Sequence, residues 1–404
     1  MKLPAIHAKG DRVIWAVVIV LSLVSVLAVY SSTGQLAHKM KGGNTEFYLI
    51  KQVALVTLGL ALMYSVHLVH YGVFSRIGQV LMIISVPLLA LTLTTAEVNS
   101  ASRWLTIPFI NLSFQTSDLA KLGLVMYLSR LLSRKQENIK DFKSAFVPLI
   151  IPILIICGLI LPANFSTAAL LFGTCFILLF IGGVNTKYLM AMMGIGIASL
   201  VLFIVIMLNF DMPGRIKTWK SRVENYLNIE VAEKDRKEEN GSAPKKDKKA
   251  DANYQSTQAK VAIANGGLFG MGPGQSEQRN ILPHPYSDFI FAIIIEEGGI
   301  IGGAIVVLMY LILFYRVVRM VKYSPQLFAT FLAIGCTLLL LFQAFINMAV
   351  AVNLFPVTGQ ALPLVSMGGT STLATSCAIG IILSISRHCV NEGKPKGKEV
   401  TNAA

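Results

Sequence analysis

Residues 13–29, VIWAVVIVLSLVSVLAV, carry no charged side chain and have two serines among otherwise apolar residues. At 1.5 Å per residue, a helix running from Val13 to Ser32 covers about 30 Å, the thickness of a bilayer's hydrocarbon core. The segment before it, Met1 to Arg12, is short and basic, and the run lacks the small-residue cleavage pattern of a secretory signal. It reads as a retained first membrane span. Runs of the same kind recur at 48–66, 77–95, 117–133, 145–162, 165–183, 188–208, 288–315, 326–350 and 366–386. The expected fold is an all-α polytopic membrane protein with about ten transmembrane helices and one long extracytoplasmic loop between helices 7 and 8.

Composition supports this. Of 404 residues, 54% are hydrophobic and 14% charged, whereas soluble domains carry roughly a quarter charged residues. Cys157, Cys175, Cys336 and Cys377 fall inside apolar runs, Cys389 lies just beyond the last, and no two share a short motif spacing, so neither disulfides nor a zinc site is expected. The net charge of +14 is compatible with nucleic acid or with anionic lipid, and its placement decides between them. With both termini cytoplasmic, the short inner segments hold Arg130, Arg134, Lys135, Lys140, Lys143, Arg316, Arg319 and Lys322 among others, while the short outer loops hold Lys39, Lys41, Lys51 and Arg103. The basic residues therefore follow the positive-inside rule, and no nucleic-acid partner is expected.

The sequence divides into a cytoplasmic N-terminus (1–12), a transmembrane domain (13–387) and a cytoplasmic tail (388–404). The long outer loop, 209–287, opens with Ile216, Trp219, Val223 and Leu227 at helical spacing opposite Lys217, Lys220 and Arg222. That pattern fits a helix lying on the membrane surface or a partly buried packing helix. Residues 230–251 hold seven acidic and seven basic residues, too polar to bury a core, and are expected to be a disordered insert. A short helix from about Ala252 is expected to stop at Asn265-Gly266.

Ionisable residues in or beside spans are costly and are functional candidates by default. Asp288, in Pro283-His284-Pro285-Tyr286-Ser287-Asp288-Phe289, stands where the long loop becomes a helix. It reads as a helix cap, together with Ser287, or as a catalytic carboxylate. Asp118 and Lys121, three apart in the first turn of the fourth span, read as an intrahelical ion pair. Alternatively Lys121 binds a phosphorylated lipid headgroup with Arg103, which follows Ser100-Ala101-Ser102. The Gly-dense run Asn265 to Gly274 suits a tight turn with positive φ or a close backbone approach to an anion or sugar. No Gly-Lys-Ser/Thr follows it, so it is not a nucleotide loop. Glu296 and Glu297 fit a buried ion pair, a polar cavity or a proton relay.

Taken in order, GGLFGMGPGQSEQRNILP (266–283) followed by SDFIFAIIIEE (287–297) resembles the SEDS family of shape, elongation, division and sporulation proteins. Supporting segments are Tyr30-Ser31-Ser32, Ser102-Arg103-Trp104, Gln115 to Lys121, Tyr254-Gln255 and Pro356-Val357-Thr358-Gly359 through Leu362-Pro363 to Ser366-Met367-Gly368-Gly369, so the resemblance covers about 11–387. The GPGQS segment is similar to FtsW-type members more than to RodA-type members. Several positions depart from the family pattern: His284-Pro285-Tyr286 stands where Glu-Ala-His is usual, Thr116 replaces Pro, Asp118 replaces Glu, Asn164 replaces Asp and Met367 replaces Tyr. They leave Asp288 as the sole carboxylate of its segment.

The resemblance implies a peptidoglycan glycosyltransferase that polymerises lipid II at the outer face of the inner membrane during septal wall synthesis. It implies Asp288 as the catalytic residue. Arg103, Lys121, Asp118, Gly266, Gly267, Gln275, Ser276, Ser287 and Glu297 are the expected substrate-binding set. A divalent cation, Mg or Mn, is a candidate cofactor, and no other is expected. A class B penicillin-binding protein and further divisome membrane proteins are the expected partners, at the division septum. Two other readings stand beside it: a lipid II flippase, and a scaffold that positions a division transpeptidase.

Overall fold

The computed structural model describes residues 10–34, 45–94, 104–107, 112–209, 248–282, 285–324 and 326–392. These contain eleven α-helices: α1 (Arg12–Ser32), α2 (Thr45–Leu68), α3 (Tyr71–Thr94), α4 (Thr116–Arg134), α5 (Val147–Ile160), α6 (Phe165–Ile181), α7 (Thr186–Asn209), α8 (Lys248–Gly266), α9 (Ile290–Val321), α10 (Leu327–Ala351) and α11 (Thr370–Glu392). A helix occupies each of the ten apolar runs, and α8 is the additional one. Seven described helices are long and apolar enough to cross a membrane: α1, α2, α3, α5 with the π-helical turn Phe142–Phe146 before it, α9, α10 and α11. The protein is a multi-pass helical membrane protein.

Local chemistry sets several helix starts. The Asp11 carboxylate accepts the Val13 amide at 2.8 Å and caps α1, and Asn164 caps α6 through the Thr167 amide. Asp141 accepts the Ser144 amide at 2.9 Å before the π-helical turn. The side-chain and backbone hydrogen bonds of Ser144 hold the Asp141 carboxyl below the usual carboxylate range.

α10 and α11 form the centre of the bundle, each buried over 72% of its apolar window, whereas α2 is buried over 17% and faces lipid. Two cores meet on α10. One joins α1, α9, α10 and α11 around Ile14, Tyr310, Ala344 and Ile382. The other joins α4, α5 and α6 to the Phe331 and Leu339 side of α10. On α9, Ile300, Ile301, Ile305, Leu308 and Leu311 are exposed, as expected for a face turned toward lipid tails.

Four features depart from the expectations. A two-stranded antiparallel hairpin, β1 (Trp104–Ile107) and β2 (Leu112–Gln115), precedes α4 with Trp104 opposite Gln115 and Ile107 opposite Leu112; its strands are four residues each, too short to show alternation in sequence. α8 begins at Lys248, inside the segment expected to be disordered, and ends at Gly266 as expected. α9 runs to Val321 instead of residue 315 and is broken at Gly299, with φ +68 and ψ −175. α11 continues to Glu392, beyond the expected domain end. The expected surface helix 215–228 and most of the charged insert lie outside the described residues.

Candidate active site

Asp288 lies on a turn that begins at Pro285 and leads into α9. The N-cap of α9 is Phe289, with φ −112 and ψ 16 and no side-chain cap bond. Neither Ser287 nor Asp288 is therefore used as a cap, which removes the main structural alternative for Asp288. Ser287 Oγ donates to Asp288 Oδ1 at 2.9 Å. The carboxylate is half-buried. Tyr286, two residues before it, has its phenol pushed up by burial, with the Tyr48 phenol and the Asp288 charge adding to the shift.

The turn is held by its backbone. The carbonyls of Tyr286, Ser287 and Asp288 accept from Met367 N at 3.0 Å, Ser366 Oγ at 2.6 Å and Asn347 Nδ2 at 3.0 Å. Two of those donors belong to the non-helical segment 352–369 between α10 and α11. That segment is itself fixed from several helices: the carbonyls of Gln360, Ala361, Pro363 and Val365 accept from Asn347, Gln343, Tyr310 and Ser25. Irregular backbone inside a helical bundle is tolerated only when its polar groups are satisfied in this way. Leu364 has φ +63, a left-handed conformation uncommon for a residue with a side chain, two residues before Ser366.

Lys121 Nζ lies 2.7 Å from Asp118 Oδ1, both side chains nearly buried in the first turn of α4. The intrahelical ion pair is present. It also lines a small cavity of about 20 Å³ with Gln343, Ser371 and Thr375, walled by Leu339 and Leu340, room for about one water. Asp118 Oδ2 is buried without a hydrogen-bond partner.

The Gly-rich run folds against the break in α9. Met271 N and Gly272 N donate to the carbonyls of Glu296 and Glu297 at 2.9 and 3.0 Å, and Ile300 N donates to Gly267 O at 3.0 Å. Gly266 and Gly270 allow this approach: a Cβ on either would stand 2.1 or 2.2 Å from the carbonyl oxygen of Ile295 or Glu297. Gly267 has φ +49, and Gln275 is exposed. Glu296 is fully buried and accepts from Ser276 Oγ, Gln278 N and Asn265 Nδ2. Glu297 accepts from Ser31 Oγ, whose neighbourhood includes Arg279 Nη1 at 3.4 Å. The two glutamates thus serve as hydrogen-bond acceptors that hold the loop to α9 and to the end of α1.

The structure groups the sequence candidates into three places: Asp288 with Ser287; Asp118 with Lys121; and Gly266, Gly267, Ser276 and Glu297 at the helix break. Arg103 lies outside the described residues; the next residue, Trp104, pairs with Gln115 at the entry to α4. Sequence reasoning missed Gln343, Asn347, Ser366, Ser371 and Thr375. A signal for two of them existed, since Gln343 and Asn347 are amides four apart in the mostly apolar 327–351.

Comparison with known proteins gives a consistent picture. A family model described as Cell cycle protein, FTSW_RODA_SPOVE, matches residues 11–391. The chain is 31% identical to Stage V sporulation protein E of Bacillus subtilis (strain 168) over 384 residues, 94% of this chain and 97% of that one. It is 32% identical to the probable peptidoglycan glycosyltransferase FtsW of Geobacter sulfurreducens over 383 residues, 94% and 95% of the two chains. Among solved structures it matches a chain from work on structural coordination of polymerization and crosslinking by a peptidoglycan synthase complex, with TM-score 0.71 and 22% identity over 94% of this chain and 98% of that one. It also matches the rod shape determining protein RodA of Thermus thermophilus, with TM-score 0.63 and 23% identity over 94% and 97%.

Proposed function

The chain belongs to the FtsW/RodA/SpoVE family of cell cycle proteins, and on that premise we propose that it is a peptidoglycan glycosyltransferase that polymerises lipid II during septal wall synthesis. The observation that carries the reading is the Asp288 turn. It presents a carboxylate that caps no helix, has the neighbouring Ser287 hydroxyl as its described hydrogen-bond partner, and stands on a backbone held from outside. Such a group is free to take a proton.

In the proposed reaction the 4-hydroxyl of one lipid II attacks the anomeric carbon of the lipid-linked strand, with inversion. Asp288 takes the hydroxyl proton as the new C–O bond forms, and undecaprenyl pyrophosphate leaves with the electrons of the broken bond. Lys121, with Arg103, binds the pyrophosphate and offsets its developing charge. A divalent cation, if required, would take its ligands mainly from substrate phosphates and water; among the described residues no three His, Cys, Asp or Glu side chains gather. We place the ten helices of the apolar runs, all but α8, across the inner membrane, with both termini cytoplasmic and the Asp288 turn at the outer face. A class B penicillin-binding protein is the proposed companion, with other divisome membrane proteins around it.

One observation favours a flippase: α9 is discontinuous, as helices at transport sites often are. At this break, however, the backbone groups of Glu296, Glu297 and Ile300 are taken up by the Gly-rich loop, so they serve the fold. The test is polymerisation of labelled lipid II by the chain co-purified with its transpeptidase, wild type beside Asp288→Asn. Glycan strands from wild type alone support the reading. Transport of lipid II across vesicles without new glycosidic bonds would replace it with the flippase.

A further inference from the structure

Asn347 sits near the end of α10, 1% exposed, in a helix whose neighbours are almost all apolar. Its Nδ2 donates to two carbonyls, Asp288 O at 3.0 Å and Gln360 O at 2.7 Å. Both amide hydrogens are thereby used. The orientation is set by the partners, because the flipped amide would turn an oxygen lone pair toward two carbonyl oxygens. Asn347 Oδ1 is buried with no hydrogen-bond partner. The side chain's hydrogen bonding is therefore spent on joining the candidate catalytic residue's backbone to the segment before α11.

One turn earlier on the same helix, Gln343 donates to Ala361 O at 2.9 Å and lines the cleft that holds Lys121. α10 is thus the element common to both halves of the candidate site. Gln343 faces the cation that would meet a pyrophosphate, and Asn347 holds the residue that would take the proton. The Asp288 side chain has no described ion pair of its own, so the direction of its carboxylate is set by the backbone that Asn347, Ser366 and Met367 N hold.

We infer that Asn347 is a positioning residue for catalysis: its amide bridge between Asp288 O and Gln360 O fixes the Asp288 carboxylate relative to the Lys121 cleft. This rests on the glycosyltransferase reading above. A misplacement of about 1 Å at a reacting group costs on the order of 100-fold in rate, so a loosened turn lowers turnover without weakening substrate binding.

The test uses the full chain with its co-purified transpeptidase and labelled lipid II, comparing wild type, Asp288→Asn, Asn347→Leu and Asn347→Ser. Leucine keeps the branching at Cγ, with greater bulk, and removes both donors; serine keeps one and is the fallback where leucine fails to fold. The expected result is a fall in kcat of roughly 10- to 100-fold for Asn347→Leu, a smaller fall for Asn347→Ser, and an unchanged KM. Hydrogen exchange over 285–293 should be faster in Asn347→Leu, with exchange around Lys121 as in wild type. Unchanged kcat, a KM effect alone, or less folded protein with normal turnover per folded molecule would each overturn the inference. Full activity of Asp288→Asn would instead sink the reading on which it rests; exchange over 285–293 would still decide whether Asn347 holds the turn, and unaltered exchange there overturns it.

Discussion

Asp288 and Lys121 are held by opposite means. Asp288 is placed by its backbone and keeps its carboxylate largely uncommitted, whereas Lys121 is buried and paired at 2.7 Å. Asp288→Asn is expected to lower polymerisation by roughly 10²- to 10⁴-fold, the usual contribution of a positioned base, with an unaltered melting temperature in detergent. Lys121→Ala leaves the Asp118 charge buried alone and should cost about 3–5 kcal/mol of stability. The double variant Asp118→Asn/Lys121→Met removes both charges, and thermal melts should show most of that loss recovered. If activity recovers with stability, the pair is structural only; if polymerisation stays absent, the pair takes part in substrate binding. At this scale the loop-to-helix boundary made Asp288 a candidate but left cap and catalysis evenly matched, and the resemblance carried by 266–297 chose between them. Asn347 was not legible, because an amide in an apolar helix reads equally well as a helix-to-helix bond.

At the scale of elements, the break in α9 and the Gly-rich loop form one unit. Each leaves backbone groups unpaired that the other satisfies, which is the condition for irregular structure inside a membrane protein. Gly270→Ala would bring a Cβ within 2.2 Å of Glu297 O at φ +81, and backbone cannot move aside as a flexible side chain can. We expect little or no folded protein by size-exclusion chromatography. Gly274 also has positive φ, +76, but nothing lies within 4 Å of its Cβ position. Gly274→Ala should cost only about 1–2 kcal/mol of left-handed strain, and near-wild-type yield is the outcome that separates strain from contact. The sequence announced a turn here; the partners that make the glycines indispensable, Ile295 for Gly266 and Glu297 for Gly270, lie far along the chain, and spacing does not reveal them.

Across the whole molecule, the end of the bundle remote from Asp288 is fastened by polar contacts between chain segments far apart. Arg316 Nε lies 2.9 Å from Asp11 Oδ2, Asp11 N donates to Ser386 Oγ at 2.7 Å, and Arg387 donates to Leu68 O at 3.2 Å. His70, in the turn between α2 and α3, meets the His388 ring at 4.4 Å. The His70 ring is exposed, yet its partial desolvation against the neighbouring rings lowers its pKa, and the charges of His388 and Arg387 add to the effect. Above the unperturbed value of 6.5 the ring is neutral whether folded or not. As pH falls below that, the unfolded chain takes up the proton first and stability drops toward the lowered folded pKa. Melting temperature should therefore decrease between about pH 7.5 and 5.5, and His70→Gln should flatten that decrease; an equal slope in both proteins would discount the histidine.

The apolar runs by themselves determined a multi-pass helical protein, because a bilayer admits little else for stretches of that length and composition. The ordered motif from Gly266 to Glu297 also pointed to the family and to Asp288. Helix contacts were beyond reach of the same reading: in lipid no hydrophobic gradient separates a helix face that meets another helix from one that meets acyl chains. Which helices are central, where α9 breaks, and how Asn347 and Gln343 on one helix join the Asp288 turn to the Lys121 cleft were decided by tertiary packing, where residues far apart in the chain satisfy one another's polar groups.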